Sequence, residues 1–164
     1  MLNIIYLHGL ESSPRPDKMA VLEALGDTLF APQLDYFGNV SLFVEILEQS
    51  QNRAINFVVG SSAGGLMGYW LAKHLQCNSL LFNPALNYLG QRPDIFPPEG
   101  SLLNQFFHQK LILGGKDAVI NYHKTLKYLQ ESEASQNYSY EILPNLAHSI
   151  DLETFTWACE KYIK

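Results

Sequence analysis

The chain has 164 residues, of which 47% are hydrophobic and 16% charged, with a formal net charge of −5 and a pI near 5.4. That length supports one well-buried core, so one domain spanning 1–164 is expected. An acidic balance without basic runs withholds the attraction that nucleic acid or an anionic membrane surface requires, which excludes both as expected partners. Two cysteines, Cys77 and Cys159, make no disulfide framework and read as buried thiols.

The first residues, Met1 to Leu7, lack the positive charge and long apolar stretch of a signal peptide and read as a strand. No apolar run approaches the roughly 18 residues of a membrane span, so a soluble, cytoplasmic protein is expected. Short continuous apolar segments bounded by Gly, Pro, Asn or Asp follow at Ile4–Leu7, Leu29–Pro32, Phe57–Gly60, Leu80–Phe82, Leu111–Gly114 and Tyr138–Leu143. Strands covered by helices on both faces have this character. Helical patterns lie between them, over Pro16–Leu25, Ser41–Gln49, Ala63–Leu75, Asn121–Glu131 and Leu152–Ile163. The alternation predicts an α/β fold with a mostly parallel sheet and functional residues in loops at the carboxyl ends of the strands. From Pro84 to Gly100 the alternation lapses in a stretch rich in Pro and Gly, which reads as a lid or a contact surface.

The strand Asn56-Phe57-Val58-Val59 runs into Gly60-Ser61-Ser62-Ala63-Gly64-Gly65 and then a helical pattern. In a G-x-S-x-G turn from strand to helix the chain reverses sharply, and the glycines let the backbones pass. Such a turn pushes the Ser62 hydroxyl out and leaves the Ala63 amide at a helix N-terminus, where it can stabilise an oxyanion. After the first strand, His8-Gly9-Leu10 forms an H-G-x loop, and the Leu10 amide is the expected second oxyanion donor. His8 itself is expected to brace that loop by hydrogen bonding.

A serine hydroxyl needs a base to take its proton and a carboxylate to fix the base's tautomer. His148, just past the last predicted strand, is the candidate base. Asp117, after Leu111–Gly114, is the candidate acid, with capping of the next helix as its other possible role. Asp151, three residues past His148, is expected to cap the final helix, and Asp35 is a more distant candidate. His74, His108 and His123 read as surface or capping residues. The histidine spacing implies no metal, and no nucleotide-binding loop is present, so no cofactor is expected.

Tyr6 to Pro14 (YLHGLESSP), Gly60 to Gly65, Asn83-Pro84-Ala85, Gly114-Gly115-Lys116-Asp117 and His148 together resemble the small YqiA-like esterases of the α/β-hydrolase superfamily. The resemblance implies a compact α/β-hydrolase fold with little or no cap domain, active on carboxylic esters of short acyl chains. It implies Ser62, Asp117 and His148 in the roles already reached. Asn145-Leu146-Ala147 departs from the pattern, since glycine-rich sequence commonly precedes the histidine in these enzymes.

The expected activity is therefore a serine carboxylesterase with a small-molecule ester as its partner. Thioester or amide cleavage uses the same three residues, and a catalytically silent hydrolase fold serving as a binding protein is the alternative from another class. Tyr88, Phe96, Phe106 and Phe107 are candidate walls of an acyl pocket, against the simpler reading as core.

Overall fold

Side chains along a strand point alternately to its two faces, and that period sorts the core. In β1 (Asn3–Leu7), Ile4 and Tyr6 pack on one side of the sheet while Ile5 and Leu7 pack on the other. The computed structural model describes residues 1–88, 107–132 and 137–163. Along these the order continues with α1 (Pro16–Glu23), β2 (Thr28–Phe30), α2 (Leu42–Asn52), β3 (Phe57–Ser61), α3 (Ala63–Leu75) and β4 (Asn78–Phe82). A single 3₁₀ turn at Leu86–Tyr88 follows β4, and then come β5 (Gln109–Gly114), α4 (Tyr122–Ser132), β6 (Tyr138–Leu143) and α5 (Leu152–Tyr162). Most of the predicted stretch from Pro84 to Gly100 lies outside the described residues.

The sheet order is β2-β1-β3-β4-β5-β6, and every pairing is parallel. One apolar cluster joins Phe43 and Ile46 of α2, Leu66, Met67 and Leu71 of α3, and Leu129 of α4 to one face of the sheet. The other face carries Leu22 of α1 and Phe155, Ala158 and Cys159 of α5, with Phe155 stacked on Phe82. Full burial of one such side chain contributes about 1.5–3 kcal/mol, so the two clusters supply the main driving force. Both thiols are buried, and burial pushes Cys77 and Cys159 up to about 12, which keeps them protonated and unreactive at neutral pH.

Boundaries shift where polar residues find partners inside the sheet. β4 begins at Asn78, two residues before the apolar run, because the buried Ser79 hydroxyl bonds Gln109 Oε1 at 3.2 Å across to β5. β2 spans only Thr28–Phe30, and its pairing with β1 ends at Phe30, before Pro32, which has no N–H to donate. Helices α1, α2, α4 and α5 likewise start or stop one to three residues from the periodic limits, as fraying ends do.

The strand order reverses between β1 and β3, whose following chain goes to opposite sides of the sheet. In an open parallel sheet that is where a crevice opens at the carboxyl ends. Register brings Leu7 beside Gly60, Ser61 beside Phe82 and Gly114 beside Leu143, so the loops carrying His8, Ser62, Asn83, Asp117 and His148 line one edge.

Candidate active site

Ser62 sits between β3 and α3 with φ 54° and ψ −118°, a conformation that L residues rarely adopt. Strain of this kind costs on the order of 1–3 kcal/mol and persists only where the surroundings impose it. Here they do: Ser62 N–H donates to the Phe82 carbonyl (3.0 Å), and the Ser62 carbonyl accepts from Leu66 and Ala85 (3.0 and 3.1 Å). The crossing of α3 over β1 and β3 is too close for a side chain. A Cβ on Gly64 would lie 2.2 Å from the Leu7 carbonyl oxygen, and one on Gly60 would lie 2.3 Å from that of Gly64. The Ala63 amide opens α3, and Leu10 borders the crevice. Among the described residues neither the Leu10 nor the Ala63 amide has a hydrogen-bond acceptor.

The histidine arrives from the other side of the sheet. His148 Nε2 is 3.1 Å from Ser62 Oγ, and its Nδ1 is 2.8 Å from Asp117 Oδ2. The Asp117 carboxylate is wholly buried, whereas the His148 side chain is 28% exposed, which leaves the imidazole open to the crevice. A buried carboxylate is tolerated only with its lone pairs occupied. Asp117 Oδ1 accepts from the Val119 and Ile120 amides at 2.8 Å each, while Oδ2 faces the histidine. The capping role and the role beside histidine thus coexist, one on each oxygen, although what Asp117 caps is the turn ahead of α4.

One residue without an assigned role in the sequence ties this half together. Asn83, at φ 42°, accepts from Gly114 N–H at 2.7 Å and donates to the carbonyls of Ala147 and His148 at 3.0 and 3.2 Å. Its side chain therefore sets the height of the histidine loop against β5. The faint signal was an Asn directly after a strand, the residue type that best tolerates positive φ apart from glycine. The loop needs no glycine: residues 144–148 hold no positive φ, and Leu146 is buried in the core while its carbonyl accepts from Lys116 N–H.

The other candidates go elsewhere. Asp151 caps α5 through Thr154 N–H, and Asp35 Oδ1 accepts from Phe37 and Gly38 in its own turn. His74 packs on Phe43, His108 bonds Ser139, and the His123 ring lies on Tyr122. His8 is buried, with Nε2 accepting from Leu34 N–H at 2.9 Å and Nδ1 donating to the Gly9 carbonyl at 2.8 Å. Those partners fix one neutral tautomer, and burial holds the imidazole below its ordinary range, against the opposing Gly9 bond. Tyr36 donates to the His8 carbonyl, completing the brace.

A cavity of about 200 Å³ opens beside Ser62, bordered by Tyr6, Leu10, Ser12, Arg15, Lys18 and His148 among others. Burial pushes the Tyr6 phenol up to about 12, with Arg15 and the Ser61 hydroxyl pulling the other way. Tyr88 and Phe107 do not border the cavity; Tyr88 donates to the Val119 carbonyl and Phe107 is buried, while Phe96 and Phe106 lie outside the described residues. Among the described residues no group of three His, Cys, Asp or Glu side chains is placed to hold a metal ion, and no helix is long and apolar enough to cross a membrane.

Residues 3–96, more than half of the chain, match the uncharacterised protein family UPF0227. The chain belongs to that family. UPF0227 is the YqiA-like family, and the solved structures show that this member has the fold of the α/β-hydrolase superfamily. A hydrolase of that superfamily from Xanthomonas campestris superposes with a TM-score of 0.70 at 18% identity, covering 99% of this chain and 98% of its own. Est1E from Butyrivibrio proteoclasticus gives 0.69 at 15% identity, covering 98% and 86%. Acyl-protein thioesterase 2 from Zea mays gives 0.63 at 14% identity, covering 98% and 91%. No curated protein matches this UPF0227 member by sequence.

Proposed function

We propose that this UPF0227 protein is a serine hydrolase that cleaves carboxylic esters of short acyl chains through an acyl-enzyme. The observation that carries the reading is the continuous line from Ser62 Oγ through His148 to Asp117 Oδ2, at 3.1 and 2.8 Å. With Nδ1–H donated to the carboxylate, Nε2 is left as an acceptor aimed at the serine hydroxyl, the tautomer a general base needs. Ser62 attacks the ester carbonyl as its proton passes to His148. The tetrahedral oxyanion takes hydrogen bonds from the Leu10 and Ala63 amides, and the imidazolium returns the proton to the departing alkoxide. Water, deprotonated by the same imidazole, then releases the acid and restores Ser62. The residues themselves suffice for this sequence, and it needs no cofactor.

A cavity of about 200 Å³ suits a small acyl group better than a long chain. The acyl-protein thioesterase among the structural neighbours accords with acyl transfer. The experiment is labelling by a fluorophosphonate probe followed by turnover of p-nitrophenyl butyrate and a butyryl thioester. Labelling and turnover are expected in wild type and absent in Ser62→Ala, with a loss of at least about 10⁴-fold in kcat. A folded wild-type protein that neither labels nor turns over ester overturns the proposal, and the relative rates on ester and thioester separate those two bonds.

A further inference from the structure

Two of the chain's cations border the same small cavity as the Ser62 hydroxyl, in a protein whose net charge is −5. Lys18, on the first turn of α1, is only 5% exposed. Its ammonium forms no hydrogen bond or ion pair among the described residues, and it lies over the Phe155 ring, 5.0 Å from the centroid. Arg15 directs Nε and one terminal nitrogen to the Asp17 carboxylate, which leaves the other terminal nitrogen uncommitted. Ser12 and Tyr6 also border the cavity.

Burial of the side chain disfavours the charged form of Lys18, and the cation–π contact with Phe155 offsets only a small part of that cost, so the ammonium gains from an anion at the cavity. Asp17 is turned to Arg15, and Asp151, the other carboxylate whose field reaches Lys18, is committed to the α5 cap. No carboxylate of the described residues pairs with the Lys18 ammonium, and Lys18 borders the cavity that holds the serine, where an anion from outside the chain can reach it.

We propose that this cavity selects esters carrying a compact anionic group, a carboxylate or a phosphate, one short chain away from the scissile carbonyl, with the Lys18 ammonium receiving the anion and Arg15 supporting it. This rests on the serine hydrolase reading and narrows its substrate class. The anion anchors one end of the substrate at Lys18 while the carbonyl lies against Ser62, which orients the bond to be cleaved.

The test compares matched pairs on the purified full chain. Monoethyl glutarate is set against the ethyl ester in which an isopropyl group replaces the carboxylate, and acetoxyethyl phosphate against its neutral dimethyl ester, with kcat/KM read as a ratio within each pair. At least one anionic partner is expected to be preferred about tenfold or more, and the pair that shows it identifies carboxylate or phosphate. In Lys18→Met, which keeps a long apolar stem against Phe155, that ratio falls toward one, whereas a purely structural lysine would lower both rates alike and leave the ratio standing. Ratios of one or less in both pairs, or a ratio unmoved by Lys18→Met, overturn the proposal. Turnover of the neutral esters alone retains the hydrolase reading and rejects this one. Calorimetric binding of the unreactive glutarate monoamide and of ethyl phosphate reads the anion site without catalysis. Binding of one of them that weakens about tenfold in Lys18→Met supports the site, and no binding of either rejects it.

Discussion

The two halves of the candidate active site are held by different means. On the Ser62 side the backbone does the holding: α3 crosses β1 and β3 so closely that Gly60 and Gly64 admit no Cβ, and the Ser62 amide and carbonyl are bonded to Phe82, Leu66 and Ala85. On the His148 side three side chains hold the geometry, with Asn83 gripping the histidine loop, Asp117 gripping its own turn, and Leu146 seated in the core. A backbone lock fails all at once when a methyl group is inserted. A side-chain lock loosens bond by bond, so substitutions there should divide activity from stability.

The largest effect is expected from Gly64→Val. Its Cβ would stand 2.2 and 2.4 Å from the carbonyl oxygens of Leu7 and His8, which are backbone atoms of β1 and its loop and cannot swing aside. A cost above about 4 kcal/mol removes much of a typical stability of 5–15 kcal/mol. Circular dichroism and soluble yield should show little folded protein, and a normal melting transition would show that the crossing is looser than described.

Asp117→Asn should leave the fold nearly intact and lower kcat by about 10⁴-fold, as loss of the orienting acid does in serine proteases. The direction follows from the occupied oxygen. The amide oxygen must face the Val119 and Ile120 N–H groups, so the NH₂ faces His148 Nδ1 and turns it into an acceptor. The proton then sits on Nε2, which can no longer take one from Ser62. Steady-state kinetics with a thermal melt check this, and activity within tenfold of wild type would remove Asp117 from the line.

Asn83→Gly tests the side-chain lock more gently, because glycine keeps the positive φ while deleting three hydrogen bonds. A loss of about 1–3 kcal/mol in stability is expected from the stranded Gly114 N–H and the two released carbonyls. Displacement of His148 should appear in kcat, by about 10- to 100-fold, with KM changed much less. Equal changes in kcat and in the folded fraction would make Asn83 a stabilising residue only.

The same division explains what the sequence disclosed. A backbone crossing leaves its record as glycine spacing, so Ser62 was legible together with the turn that holds it. The residue types and chain order of Asp117 and His148 were legible as well, and the structure sets His148 between Ser62 and Asp117. Asn83 was not, because a side chain that bonds two distant carbonyls looks in sequence like any asparagine after a strand. Lys18 was hidden for a related reason: it reads as an ordinary charge on a short helix, and only the packing of α1 against α5 turns it inward. In the fold, apolar runs located all six strands of the described residues, and the start of β4 was missed because Ser79 is buried through a partner 30 residues away.

The smallest effect sharpens the comparison from the backbone side, where one titratable side chain takes part. His8 donates to Gly9 and accepts from Leu34, a pattern that only the neutral ring can satisfy, and burial holds it below its ordinary range. In the unfolded chain it takes up a proton as pH falls through about 6.5, while the folded protein resists protonation until a lower pH. Between those two values the unfolded state binds more protons, so the stabilisation is fully present above the unfolded value and is lost as pH falls toward the folded one. His74 and His108 are lowered in the same direction, but they remain in a His8→Gln variant and cancel in the difference. Denaturant unfolding of both proteins from pH 8 to pH 5 should therefore give difference curves that are level above about pH 7.5 and fall, to the cost of wild type, below about pH 6.5. A level difference throughout would mean that protonated His8 is accommodated, and that the Ser62 half rests on its backbone crossing alone.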